Sequence, residues 1–284
     1  MRGFVFTIVF SALFFLLLFS VSYYISSRGS AILGEADQGV TDANGRVMDD
    51  LSSDLASYLE IGISGAPLNA SNKTSITFTD KIPSTLASPG TEFSQWAVFV
   101  QDDFPVQANI NVTMNMTDFS LHPRLVALPY NLAYGWGALD KQKLTVNGSS
   151  LVSNYSVVMR LNRAINVTNE SNWTWSAGTT PLFLSLDLED SKGQAINISN
   201  RTSGYIDPNT ANSFYMGGSP SGNITLEVGN LAGAGASALR ITPAGLSAMM
   251  NTTVLLNGTP EITVFAPIWV TVGEQQSNLI LHEG

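Results

Sequence analysis

The sequence predicts an α+β chain: a long N-terminal apolar helix suited to a membrane or a filament core, an amphipathic helical stalk, and a mainly antiparallel β-sandwich head. Three observations predict it. Phe4 to Ile25 runs for 22 residues without a charge or a proline, the length that crosses a hydrocarbon core of roughly 30 Å. Apolar residues then recur at spacings of three and four, the mark of one helical face. Beyond about Leu68 the spacing changes to two, with short runs broken by Gly, Pro, Asn and Asp. The predicted division is 1–28 for the apolar transmembrane or filament-core helix, 29–66 for the stalk, and 67–284 for an extracellular β-rich head of one or two sandwiches.

The first segment contains six Phe and four Leu and has no amphipathic face, which sets a membrane or filament-core helix above a buried helix of a soluble protein. A cleaved secretory peptide has an apolar region of only about 7 to 15 residues and an A-x-A site after it, and no such site follows here. Arg2 precedes the segment, Arg28 follows it ahead of an acidic stretch, and Tyr23 and Tyr24 stand near its far end. Basic flanks stay inside and aromatic rings prefer the headgroup layer, so the N-terminus is expected inside and the remainder outside.

In the stalk, Ala36, Val40, Ala43, Val47, Leu51, Leu55 and Tyr58 share one helical face. Glu35, Asp37, Asp42, Asp49, Asp50 and Asp54 occupy the other, with Arg46 one turn from Asp42 and Asp50. That face is expected to be solvated. Gly62, Gly65 and Pro67 end the helical pattern.

In the head, Ile110, Val112, Met114 and Met116 alternate with Asn109, Asn111, Thr113 and Asn115, and Tyr155, Val157, Met159 and Leu161 alternate with mostly polar partners. Leu182 to Leu188, Ile224 to Val228 and Ile262 to Ala266 repeat the pattern. Each reads as a strand with one wet face, and a second layer must cover the other. The densest signal is N-x-[ST]: Asn69, Asn72, Asn111, Asn115, Asn147, Asn154, Asn166, Asn169, Asn172, Asn197, Asn200, Asn223, Asn251 and Asn257, 14 of the 22 asparagines. With Ser and Thr at roughly a fifth of residues, chance places about four or five there. Several of these asparagines fall in the polar phase of their strands, where a covalent glycan has room.

Composition narrows the chemistry. Thirteen basic against 22 acidic residues give a net charge of -9, which disfavours a nucleic-acid partner, since that affinity rests on Lys and Arg displacing counterions. With no cysteine, thiolate metal sites, disulfides and thiol nucleophiles are excluded. The two histidines, His122 and His282, are far apart in sequence, and no nucleophile elbow, zinc-protease helix or phosphate loop occurs. No catalytic, cofactor or metal residue is therefore assigned, and no enzyme activity is expected. Asp187, Glu189 and Asp190 read first as a hairpin turn and second as a calcium loop; Trp173 and Trp175 read as core packing or glycan shielding before a sugar platform.

Arg2, Gly3 and Phe4, a basic and a small residue ahead of an apolar helix, resemble the processing site of archaeal type IV pilin-like and archaellin-like surface proteins. The resemblance covers about the first 60 residues and implies a cut between Gly3 and Phe4. It departs from the bacterial pattern at Ile8, where a glutamate is expected. It implies a structural cell-surface glycoprotein, a pilin-like subunit of an extracellular filament that self-associates through its N-terminal helix. Two other readings stand beside it: an anchored, non-polymerising ectodomain such as an adhesin, envelope-layer anchor or stator-like component, and an anchored surface hydrolase. The expected partners are a membrane, other copies of the chain and covalent glycans, and the expected location is the cell membrane with the head outside, or the filament.

Overall fold

The computed structural model describes residues 40–68, 71–108, 110–148, 151–165, 173–177, 182–198, 204–218, 222–258 and 260–283. The predicted helix Phe4–Ile25 and the Gly3–Phe4 junction lie outside them. The α+β expectation is corrected. The described residues are 53% strand and 20% helical and form two β-sheets. No helix among them is long and apolar enough to cross a membrane. The physical reason is that the two-residue period takes over at Gly62 and, apart from short helices between residues 89 and 121, governs the described residues that follow.

Two compact units divide the chain, 1–47 and 48–284. Helix α1 covers 40–58. In the second unit its apolar stripe is buried, with Leu51 at 2% and Leu55 at 0% exposure, while Asp49, Asp50 and Asp54 face solvent. The stretch read as a stalk therefore contributes core residues here, because three- and four-residue spacing aligns Leu51, Leu55 and Leu59 on one side.

The strands in chain order are β1 (Gly62–Leu68), β2 (Lys73–Ile82), β3 (Val112–Asn115), β4 (Arg124–Leu128), β5 (Leu132–Trp136), β6 (Leu144–Asn147), β7 (Val152–Leu161) and β8 (Leu182–Glu189). They continue as β9 (Ala195–Asn197), β10 (Tyr205–Ile206), β11 (Ala211–Gly218), β12 (Gly222–Leu231), β13 (Gly235–Ala244), β14 (Ala248–Asn257), β15 (Thr263–Val272) and β16 (Gln275–Glu283). One sheet runs β1-β2-β14-β7-β8-β10 with β9 on β8; the other runs β11-β12-β13-β6-β5-β4-β15-β16 with β3 on β15. Pairing is antiparallel except between β7 and β8. The sheets meet through their inner faces. Phe78 of β2 stacks on Tyr134 of β5 at 4.1 Å between ring centroids, and the Tyr155 hydroxyl of β7 donates to the Ser237 carbonyl of β13 at 2.6 Å.

A helical excursion that alternation did not foretell separates β2 from β3. Helix α2 (Pro89–Val98) passes through a π-helical turn at Phe99–Asp103 into α3 (Phe104–Ala108), and α4 (Thr117–Leu121) follows β3. Pro89 stands at its start, where a missing N–H is harmless. Phe93, Ala97 and Val100 form its buried stripe, and the Phe93 ring lies 5.5 Å from both Tyr58 and Phe119. The Gly229 to Ala238 stretch, rich in small residues, is the β12–β13 hairpin.

Candidate glycan-bearing surface and a buried charge cluster

The β-pleat sends alternate side chains to opposite faces, so a sequon asparagine in the polar phase must leave the core. Nine of the predicted acceptors lie within the described residues, and none is buried. Asn72, in the β1–β2 turn with φ 49°, is exposed, as are Asn111, Asn115, Asn251 and Asn257. Asn147, Asn154, Asn197 and Asn223 are half-buried. Asn154 and Asn251 lie on the outer face of the β7–β14 pair, in phase with exposed Val158 and Met249. Asn69, Asn166, Asn169, Asn172 and Asn200 lie outside the described residues.

Among the described residues the buried asparagines, Asn44 and Asn212, belong to no sequon. Asn212 shows why a core amide cannot double as an acceptor. Its Nδ2 donates to the carbonyls of Asp207, Thr210 and Val228, and its Oδ1 accepts the Ser176 N–H at 2.8 Å. The half-buried acceptors are less free than their strand phase suggests. The Asn197 Nδ2 donates to Asp187 Oδ1, and Asn154 is flanked in register by Leu255 and Phe183. Neighbouring side chains of the second dimension, invisible in a linear pattern, half cover these positions.

Beneath this surface lies a charged cluster that strand reading missed. Asp80 occupies the inward phase of β2 with Ile76, Phe78 and Ile82, and is 1% exposed. Its Oδ1 accepts the Lys141 ammonium at 2.7 Å and the Lys81 N–H at 2.7 Å. Its Oδ2 accepts the Trp136 indole N–H at 2.7 Å and the Tyr134 hydroxyl at 3.1 Å. Lys141, 1% exposed, also donates to the Leu59 carbonyl at the end of α1 and lies 4.9 Å from the centre of the Trp136 ring. Lys141 reaches inward from a turn residue with φ 55°, a region a long side chain enters only when its surroundings hold it there.

Burial raises the Asp80 carboxyl above its ordinary range, against the pull of Lys141, Trp136 and the Lys81 amide. Burial, reinforced by the Asp80 charge, also raises the Tyr134 hydroxyl, which remains a neutral donor. The four donors satisfy the carboxylate, and neither charge reaches solvent. The arrangement therefore ties α1, β2, β5 and the β5–β6 turn together. The signal available in sequence was an aspartate in the apolar phase of a strand; Lys141, 61 residues away, carries no local mark.

The remaining candidates resolve into structural roles. Asp190 closes the β8–β9 turn: its Oδ1 accepts the N–H groups of Lys192 and Gln194 and its Oδ2 that of Ile165. Burial pushes its carboxyl up, but these three backbone donors and the Lys192 charge hold it below the usual range. Among the described residues no three acidic or histidine side chains gather closely enough to hold a metal ion. Trp173 packs its ring edge-on to Phe214 at 5.5 Å and donates its indole N–H to the Tyr215 carbonyl. His122 is exposed and His282 half-buried on β16. No family model matches the chain, and no curated protein or solved structure matches it either.

Proposed function

We propose that the chain is a structural glycoprotein of the cell surface: a pilin-like subunit with a β-sandwich head that carries N-linked glycans outside the cell, assembled into an extracellular filament through the apolar segment Phe4–Ile25. The observation that carries the reading is the sorting of asparagines. Every described sequon asparagine has access to solvent, while the two buried asparagines among the described residues fall outside sequons. A glycan adds bulk and hydration that only a surface position accommodates. The low charge content of 12% fits the same reading, because a polar but weakly charged head gains its hydration from sugars. Its core is large enough to stand without disulfides.

Two measurements on the native protein test this. Electron microscopy and mass spectrometry of filaments sheared from cells should find this polypeptide in them; its absence there, with full recovery in membranes, removes the filament and leaves an anchored ectodomain. Intact mass before and after chemical deglycosylation should differ by several glycans, and coincident masses remove the glycoprotein.

A further inference from the structure

We propose that the exposed indole of Trp269 is the platform on which the first sugars of a glycan on Asn115 lie. This rests on the glycoprotein reading above and adds to it a particular site and a particular contact. Asn115 ends β3 and Trp269 stands directly opposite it on β15; directly opposed residues of antiparallel strands have Cβ atoms about 4.5–5.5 Å apart. Trp269 is 50% exposed on an outer sheet face, an apolar area that water covers poorly. Its neighbour on the other side is Asn278 of β16. The next rung pairs Thr113, Thr271 and Gln276, and with Trp269 and Asn115 these residues line a surface depression of about 470 Å³. An aromatic plate bordered by amides and hydroxyls matches a pyranose, which offers an apolar C–H face and a polar rim.

The Asn115 side chain is already poised as an acceptor. Its Oδ1 accepts the Thr117 backbone N–H at 3.2 Å, which leaves Nδ2 free at an exposed position. Attachment forms a bond from Nδ2 to the anomeric carbon of a phosphate-activated oligosaccharide, breaks that carbon's bond to phosphate, and sends one amide proton to a base. No other exposed sequon asparagine among the described residues has a half-exposed tryptophan as its cross-strand partner.

The test compares native protein with Asn115→Gln, and with Thr117→Ala as a second variant that removes the sequon while keeping the asparagine. Hydroxyl-radical footprinting with peptide mass spectrometry reads each tryptophan separately, and Trp175, 37% exposed, serves as reference. The expected result is a glycan on the Asn115 peptide and a several-fold rise in Trp269 oxidation in both variants, with Trp175 unchanged. An occupied Asn115 with equal Trp269 oxidation in native and variant protein overturns the platform and leaves the glycoprotein standing. An unmodified Asn115 beside other occupied sequons overturns this site alone. A native protein without any glycan overturns both.

Discussion

Replacing Lys141 with methionine keeps an unbranched side chain only one atom shorter and removes its charge. The Asp80 carboxylate would keep three donors, from Lys81, Tyr134 and Trp136, but lose the opposite charge 2.7 Å away. Both side chains are almost fully buried, at 2% and 0% exposure, so solvent screening does not soften the loss. Removing one partner of such a pair costs about 3–5 kcal/mol, which for a unit of this size lowers the urea midpoint by about 1–2 M. Equilibrium unfolding followed by tryptophan fluorescence measures it, with Trp136 inside the cluster as a local reporter. Converting Asp80→Asn in the same chain should recover much of the loss, because a neutral pair leaves no charge stranded.

The pH dependence has a definite sign. Burial already raises the folded-state carboxyl of Asp80, and without Lys141 it rises further. A raised acid contributes stability that is full below its unfolded value of about 3.9 and is lost as pH climbs through the folded value. Lys141→Met should therefore be less destabilised relative to the parent near pH 4 than at pH 7. A loss below about 1 kcal/mol, or a double variant no more stable than the single one, would refute the reasoning.

Three further outcomes are expected. Tyr155→Phe leaves the buried Ser237 carbonyl without its 2.6 Å donor and should cost about 1–3 kcal/mol in denaturant unfolding. Leu55→Ala opens a cavity at a fully buried position of α1 and should cost about 2–5 kcal/mol, read from the same transition. Glu60 holds the hydroxyl and N–H of Thr85 and the Ser84 hydroxyl; burial opposes its ionisation, yet these donors and the Lys141 charge keep its carboxyl below the ordinary range, as backbone donors do for Asp190. Their stabilisation is present above the unfolded carboxylate values and is lost as pH falls through the folded ones, so Glu60→Gln with Asp190→Asn should flatten the acid limb of a melting-temperature profile between pH 6 and 3.

The linear sequence determined what is local. Alternation placed β7, β8, β12 and β15 because a pleated strand with one wet face writes its period directly into the residues. The stripe through Leu51 and Leu55 did the same for α1, and the nine described sequon asparagines lie outside the core. Long-range arrangements were decided only in three dimensions. The parallel β7–β8 pair, the packing of Phe93 between Tyr58 and Phe119, and the meeting of Asp80 with Lys141 join residues whose separation in the chain carries no periodic signal. The same holds for Trp269 beside Asn115: each is an ordinary outward residue of its own strand, and register alone makes them neighbours. The α+β expectation was overturned for a related reason. A long apolar run weighs heavily in a linear reading, whereas the described fold is set by how many short strands find partners, and that depends on pairing between segments far apart in the chain.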